Sequence, residues 1–126
     1  MINKISTKFN IILDSRFKNI EIACINPKYA YEYARDILKG PFELGEAIIA
    51  TDSKQSYDYA NRVLHGLFPL GEKAISTSPY YSFQYAMLLK RRFHLGERTI
   101  SKSDLYKEKY EQFLNRFLIF NKFLNK

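Results

Sequence analysis

Residues 33–46 read YARDILKGPFELGE, and this phrase decides the fold because it returns twice further along the chain. Residues 59–72 read YANRVLHGLFPLGE, and residues 85–97 read YAMLLKRRFHLGE. The aligned tyrosines, phenylalanines, leucines and Gly-Glu pairs recur at spacings of 25 or 26 residues. Self-similarity at a fixed period of this length is the sequence signature of a repeat protein.

Each copy is predicted to form a long helix and a short helix joined by a connector. Four preferred N-cap residues stand at equivalent positions before the long helices: Asn26, Asp52, Ser78 and Ser103. Behind each cap, apolar residues recur with a 3.6-residue period, which places the Tyr-Ala pair on the core face. Gly40 and Gly66 are expected to end the first two long helices as left-handed C-caps.

The short helices are predicted over residues 45–50, 71–76 and 96–101. A glutamate stands in the first turn of each, where a carboxylate complements the helix dipole: Glu46, Glu72 and Glu97. The phenylalanine and the leucine of each connector are both expected to dock on the core. Because neither helix can bury its apolar face alone, the copies are expected to stack on one another.

The chain is therefore predicted to be all-α and to form a single domain over residues 1–126. The predicted architecture is a solenoid-like α/α repeat stack of about four helix-turn-helix units of 25–26 residues, with degraded end repeats. The predicted units are residues 1–25, 26–51, 52–77 and 78–102, followed by a C-terminal capping helix over residues 103–126. In the first unit Phe17, Glu21 and Cys24 are aligned with Phe42, Glu46 and Ile49.

The phrase over residues 31–46 resembles a short helical repeat of uncharacterised phage and giant-virus proteins. Its core there reads Tyr-Ala-x-x-(Val/Ile)-(Leu/Ile)-Lys-Gly-x-(Phe/Trp)-Pro-x-(Gly/Ala)-Glu, and residues 68–72, which read FPLGE, match its loop most closely. The third copy departs from it, because residues 90–92, which read KRR, replace the Lys-Gly-x segment. The resemblance covers residues 12–117. It implies a viral setting and an α-helical stack, and it implies no particular activity.

Positive charge is concentrated in the C-terminal half. The formal charge is +7, of which residues 1–63 carry +1 and residues 64–126 carry +6. A basic surface attracts nucleic acid, anionic lipid or an acidic protein. The N-terminus has no signal-peptide pattern, and no stretch has the about 18–20 apolar residues that span a bilayer. The sequence thus predicts a cytoplasmic protein without a membrane partner, in the host cytoplasm if the protein is viral.

No pattern in the sequence is typical of an enzyme active site. His65 and His94 lack metal-ligand spacing, and phosphate-binding glycine loops and nucleophile elbows are absent. Cys24 is interpreted as a small buried apolar residue, with a reactive thiol as the alternative. The glutamate row is interpreted as helix-start charge, with recognition of a basic ligand as the alternative. We therefore predict no catalytic residue, no metal site and no cofactor.

The strongest candidate for a binding site is a basic cluster in the third copy. Residues 90–92 place three consecutive cations at the end of a long helix. Cations there can simply complement the helix dipole, or they can form a face that contacts acidic protein or phosphate. The triple run exceeds what capping needs. The predicted contact residues are Lys90, Arg91, Arg92, Phe93, Arg98 and Arg116.

Two sets of aromatic residues complete the candidate surfaces. Tyr31, Tyr57 and Phe83 precede the core tyrosines by two residues, and they are expected either to pack against the next unit's short helix or to form an exposed row. The C-terminal helix is apolar around most of its circumference, which implies an intramolecular clasp or an interface with a partner or a second copy. Its predicted oligomer contacts are Phe113, Phe117, Phe120 and Phe123.

The predicted function is a non-catalytic protein-binding module, a viral protein that binds and sterically blocks a host factor. The alternative is nucleic-acid binding through the basic face of the C-terminal half, which a steep loss of affinity with salt would identify. A second alternative is a structural homo-oligomer, a homodimer formed through the C-terminal helix.

Overall fold

The computed structural model describes the backbone of residues 20–124 and the side chains of residue 20 and residues 22–117. All secondary structure within this part of the chain is helical, which confirms the all-α prediction. The helices are α1 (Ile20–Ala23), α2 (Pro27–Glu32), α3 (Glu43–Ile49), α4 (Ser53–Tyr59), α5 (Glu72–Ile75), α6 (Pro79–Leu89), α7 (His94–Ser101) and α8 (Asp104–Leu124). Phe17, the side chain of Glu21 and most of the predicted unit 1–25 lie outside the described residues.

The long helices begin where the sequence predicts. Each of the four N-cap side chains accepts a hydrogen bond from a backbone N–H two or three residues later, at distances from 2.7 to 3.3 Å. These bonds satisfy donors that have no partner within a helix. The cap prediction is therefore confirmed at all four positions: Asn26, Asp52, Ser78 and Ser103.

The ends of the long helices correct the C-cap prediction. The left-handed residues are Lys39, His65 and Lys90, with φ of 53°, 57° and 57°, and no glycine among the described residues has a positive φ. Gly66 follows the left-handed residue, and a Cβ added there would meet no atom within 4 Å. A larger side chain therefore fits at this position, which explains why Arg91 can occupy it in the third copy.

The difference between a 26-residue and a 25-residue copy lies in the last turn of the long helix. Helices α2 and α4 continue as π-helical segments, Tyr33–Leu38 and Ala60–Leu64. The N–H of Gly66 there reaches back six residues to the Ala60 oxygen, whereas the N–H of Arg91 reaches back five residues to Ala86. The extra residue is thus taken up by a wider helical turn, and α6 stays α-helical to its end.

Within each copy the short helix packs on the long helix through a glycine. A Cβ built on Gly71 would lie 2.5 Å from the Phe68 ring and 2.8 Å from the Ser56 Cβ, so only glycine permits this approach. The phenylalanine ring in turn packs on the core tyrosine ring, with centroids 4.6 to 4.9 Å apart in the three copies. Helices α3 and α7 begin two residues earlier than predicted, whereas α5 begins one residue later, after a 3-10 turn, Pro69–Gly71.

Two further predictions about the core need correction. The phenylalanine of each connector is buried, but the leucine is not, and Leu44, Leu70 and Leu95 stay exposed. Ala23 is fully buried and lies three residues before the N-cap Asn26, just as Ile49 lies three residues before the N-cap Asp52. Ala23, and not Cys24, therefore corresponds to Ile49.

A clasp of two hydrogen bonds joins each copy to the next. The Tyr59 hydroxyl accepts from the Phe42 N–H at 2.9 Å and donates to Glu46 Oε2 at 2.6 Å. The same atoms form the next two clasps, Tyr85 with Phe68 and Glu72, and Tyr110 with Phe93 and Glu97. Burial, followed by the hydrogen bond to Glu97, raises the pKa of Tyr110 to about 12, so the hydroxyl remains a donor. The recurring glutamates therefore have a structural role.

The outer aromatic residues pack between neighbouring long helices. The Tyr57 ring lies 5.7 Å from the Tyr81 ring, and the Phe83 ring lies 6.0 Å from the Tyr106 ring. Of the two predicted arrangements, the outer aromatic residues therefore adopt packing and not an exposed row. They contact the next long helix, however, and not the next short helix. At the first junction Tyr31 and Gln55 line a cleft of ≈ 160 Å³. Gln55 occupies the position that Tyr81 and Tyr106 occupy in the following copies.

Replacing Gln55 with tyrosine is expected to stabilise the protein by about 1 kcal/mol. The Gln55 side chain is only 9% exposed, and its Oε1 has no hydrogen-bond partner among the described residues. A tyrosine ring would fill the cleft beside Tyr31 and remove this unpaired acceptor. Thermal unfolding measures the effect. A Gln55→Leu variant with an equal gain would contradict the ring–ring explanation.

Candidate protein-binding groove

The predicted basic cluster surrounds two hollows at the end of α6, between the start of α7 and the middle of α8. The larger hollow is ≈ 500 Å³ and is lined by Glu72, Arg91, Arg92, Phe93, His94, Leu95 and Phe117. The smaller is ≈ 390 Å³ and is lined by Lys90, Phe113, Arg116 and Phe117. Because both hollows share the Phe117 ring, we treat them as one surface, the basic groove.

Three cations of the basic groove are free to meet a partner. Lys90, Arg91 and Arg116 are exposed, and none of them makes a salt bridge with the described residues. The left-handed conformation of Lys90 turns the chain sharply at the end of α6 and begins the connector to α7. Three unpaired positive charges around an apolar hollow attract a negatively charged partner.

The fourth cation, Arg92, is committed to the fold. Its Nε donates to Glu97 Oε2 at 2.8 Å, and the same oxygen accepts the Tyr110 hydroxyl of the last clasp. The hydrogen bond from Arg92 holds the pKa of the Glu97 carboxyl below its ordinary value of 4.5. Arg92 therefore reinforces the junction between α7 and α8, and its guanidinium is less available to other groups than the side chains of Lys90 and Arg91.

An Arg92→Ala variant is expected to lose less stability in acid than the wild type. Because the pKa of Glu97 is lower in the folded protein than in the unfolded chain, the pair stabilises the fold above about pH 4.5 and is lost as the pH falls further. Thermal midpoints above and below that pH measure the difference. An Arg98→Ala variant, which leaves Glu97 paired, should keep the wild-type acid dependence; equal acid dependence of all three proteins would contradict the assignment.

The structure separates the other predicted contact residues. Phe93 is only 4% exposed and packs on the Tyr85 ring at 4.9 Å, so it forms the floor of the groove and is not a surface anchor. Arg98 is exposed on α7 but does not line the groove. The half-buried aromatics of this surface are Phe113 and Phe117, whose rings stack with centroids 6.1 Å apart. The side chains of Phe120 and Phe123 lie outside the described residues.

The remaining candidates do not join the groove. Cys24 is half-buried, its Sγ lies 3.7 Å from the Leu44 oxygen, and burial raises the pKa of its thiol. His65 caps the end of a π-helical segment, and His94 is the first residue of α7, with its Nδ1 3.4 Å from a Glu97 oxygen. Sequence reasoning missed the tyrosine–glutamate clasps, although both residue types recur in every copy.

Comparison with family models, curated proteins and solved structures found no match to this chain. Over residues 20–124, no helix combines the length and the apolar character needed to cross a membrane. The same part of the chain contains no group of three or more His, Cys, Asp or Glu residues arranged to hold a metal ion.

Proposed function

We propose that this protein is a non-catalytic protein-binding module whose recognition surface is the basic groove. The observation that carries the proposal is the combination of three unpaired cations, Lys90, Arg91 and Arg116, with an apolar hollow against Phe117. Apolar area supplies affinity and the cations supply orientation and a faster association rate. The partner is an acidic protein surface that carries apolar side chains.

The same proposal includes the arrangement of the copies and the biological setting. We interpret the chain as a solenoid-like α/α repeat stack, because the same clasp recurs at three successive junctions. The resemblance to phage and giant-virus repeats supports a viral protein that acts in the host cytoplasm. Binding would be steric: a preorganised helical face covers a functional surface of a host factor.

Nucleic acid is the second candidate partner, because unpaired lysine and arginine side chains bind phosphates. The apolar lining of the groove favours protein, since phosphate gains nothing from Leu95 or Phe117. A homodimer through the C-terminal helix is the third candidate, and the partly exposed stack of Phe113 on Phe117 is the contact that would carry it.

The test compares capture from a host-cell lysate by the wild type, a Lys90/Arg91/Arg116→Ala variant and a Lys102/Lys107/Lys109→Ala control. The control removes the same number of exposed cations from residues that do not line the groove. We expect the groove variant alone to lose one dominant protein, which is then purified and titrated against all three proteins. We expect the groove variant to bind this protein at least about tenfold more weakly than the wild type does, which corresponds to a loss of about 1.4 kcal/mol or more in binding free energy.

Nuclease treatment separates the alternatives. A captured protein that survives nuclease and is lost with the groove variant supports the protein-binding module. Capture that nuclease abolishes, together with an affinity that falls steeply with salt, overturns the module in favour of nucleic acid. Equal capture by the groove variant and the control variant contradicts the site. Sedimentation of a Phe117→Ser variant tests the homodimer, which requires a dimeric wild type and a monomeric variant.

A further inference from the structure

Three leucines return with the repeat and yet remain on the surface. Leu44, Leu70 and Leu95 stand 26 and 25 residues apart, and their exposed fractions are 73%, 58% and 58%. The other recurring residues of the phrase have a role inside the protein: the tyrosines and glutamates form the clasps, the phenylalanines and isoleucines are buried, and the glycines admit the short helix. Packing therefore does not explain why leucine recurs at this position.

The three leucines stand at equivalent positions of successive short helices, and each short helix contacts the next one or the turn that precedes it. Helix α3 contacts the 3-10 turn Pro69–Gly71 that precedes α5, and α5 contacts α7. The axes of packed helices are about 8–10 Å apart, so successive leucines are expected at about that distance. An α-helix rises about 10 Å over seven residues. The leucine row, as we call these three residues, thus matches the spacing of apolar residues seven apart on a partner helix.

Positive charge borders the leucine row toward its C-terminal end. The residues one helical turn after the second and third leucines are Lys73 and Arg98, and both are exposed. Leu95 itself lines the basic groove beside Arg91, so the row and the groove are continuous. Of the acidic residues, Glu43 adjoins the first leucine, and Glu72, which lines the larger hollow with Leu95, accepts the Tyr85 hydroxyl of its clasp at 2.7 Å. This gradient favours a partner with apolar residues throughout and carboxylates concentrated at one end.

We propose that the leucine row and the basic groove together bind an acidic amphipathic α-helix of a protein partner, in which apolar residues recur every seven positions. The inference rests on the proposed function, because it extends the same surface. Each apolar side chain of the helix lies against one leucine, and its carboxylates meet Lys73, Arg98 and the cations of the groove. A second copy of this chain is a poorer occupant, because the net charge of +7 makes two copies repel each other.

The probe is a fluorescein-labelled synthetic helix of about three heptads, with leucine at the apolar positions and glutamate on the flanks. Fluorescence anisotropy compares the wild type with a Leu70/Leu95→Ser variant and with an Ile25/Leu105→Ser control, which changes two apolar residues of similar exposure elsewhere. We expect the leucine variant to bind about 100-fold more weakly, since covering a leucine is worth about tenfold or more in affinity. The control should bind as the wild type does.

A probe with serine in place of leucine has the same charge and is expected not to bind. Binding of that probe at wild-type strength overturns the inference, as does equal binding by the leucine variant and the control. If the Lys90/Arg91/Arg116→Ala variant loses the probe while the leucine variant keeps it, the basic groove stands and the leucine row is overturned. If only the leucine variant loses binding of the probe, the leucine row is supported and the role of the basic groove is overturned. A wild-type protein that dimerises through the three leucines and does not bind the probe also overturns the inference.

Discussion

Substitution of Gly71 by alanine is expected to destabilise the protein by about 3 kcal/mol or more, which lowers the thermal midpoint by about 10 °C or more. The added Cβ would lie 2.5 Å from the Phe68 ring and 2.8 Å from the Ser56 Cβ. The ring cannot move aside, because it is buried and packs on the Tyr59 ring at 4.9 Å. The steric effect outweighs the about 1 kcal/mol by which alanine favours a helix over glycine.

Gly66→Ala is the matched control for this prediction. A Cβ at Gly66 meets no atom within 4 Å, and its φ lies outside the left-handed region. The thermal midpoint of that variant should stay close to the wild-type value. If alanine at Gly71 and alanine at Gly66 have the same effect, the close approach of the short helix to the long helix is not what requires glycine.

Removal of the Tyr85 hydroxyl, in a Tyr85→Phe variant, is expected to destabilise the protein by about 2 kcal/mol. The hydroxyl accepts from the Phe68 N–H at 3.0 Å and donates to Glu72 Oε2 at 2.7 Å. Without it, a buried backbone donor has no partner, whereas the partly exposed carboxylate of Glu72 can turn to water. Denaturant unfolding measures the loss, with Tyr80→Phe as the control at an exposed tyrosine.

Amide hydrogen exchange locates the effect of Tyr85→Phe within the chain. The Phe68 amide should lose protection, and the amides of Phe42 and Phe93 should keep it, because their clasps use other tyrosines. A double-mutant cycle with Glu72→Gln then measures how strongly the two bonds of one clasp depend on each other. Uniform loss of protection at all three amides would contradict the assignment of this hydroxyl to a single junction.

The parts of the fold that sequence reasoning reached depend on local chemistry. Asn26, Asp52, Ser78 and Ser103 cap their helices because an oxygen two or three residues before a free N–H is enough, whatever surrounds it. The buried tyrosines and isoleucines were predictable because the copies align with one another inside one chain. That internal alignment identifies which positions recur.

Recurrence does not show where a side chain lies, and this is where the predictions were wrong or incomplete. Leucine and phenylalanine recur equally, but the phenylalanine is the residue just before the helical turn and the leucine lies two residues later within it, and only the phenylalanine is buried. The left-handed conformation falls on Lys39 and not on Gly40, just as it falls on Lys90 and not on Arg91, so the presence of a glycine does not decide its position. In the groove, the cations were predictable, whereas the pairing of Arg92 with Glu97 depends on tertiary packing.

In the repeat stack that we propose, the identical clasps make a whole copy a unit of insertion and deletion. Tyr59 lies 17 residues after Phe42 and 13 residues after Glu46, and Tyr85 keeps the same two separations from its own partners. Excision of residues 52–77 would bring Tyr85 to those separations from Phe42 and Glu46. The chain can therefore lengthen or shorten by one copy without a new kind of interface. The exposed leucines would change in number with it, so that the reach of the surface follows from how many copies are joined.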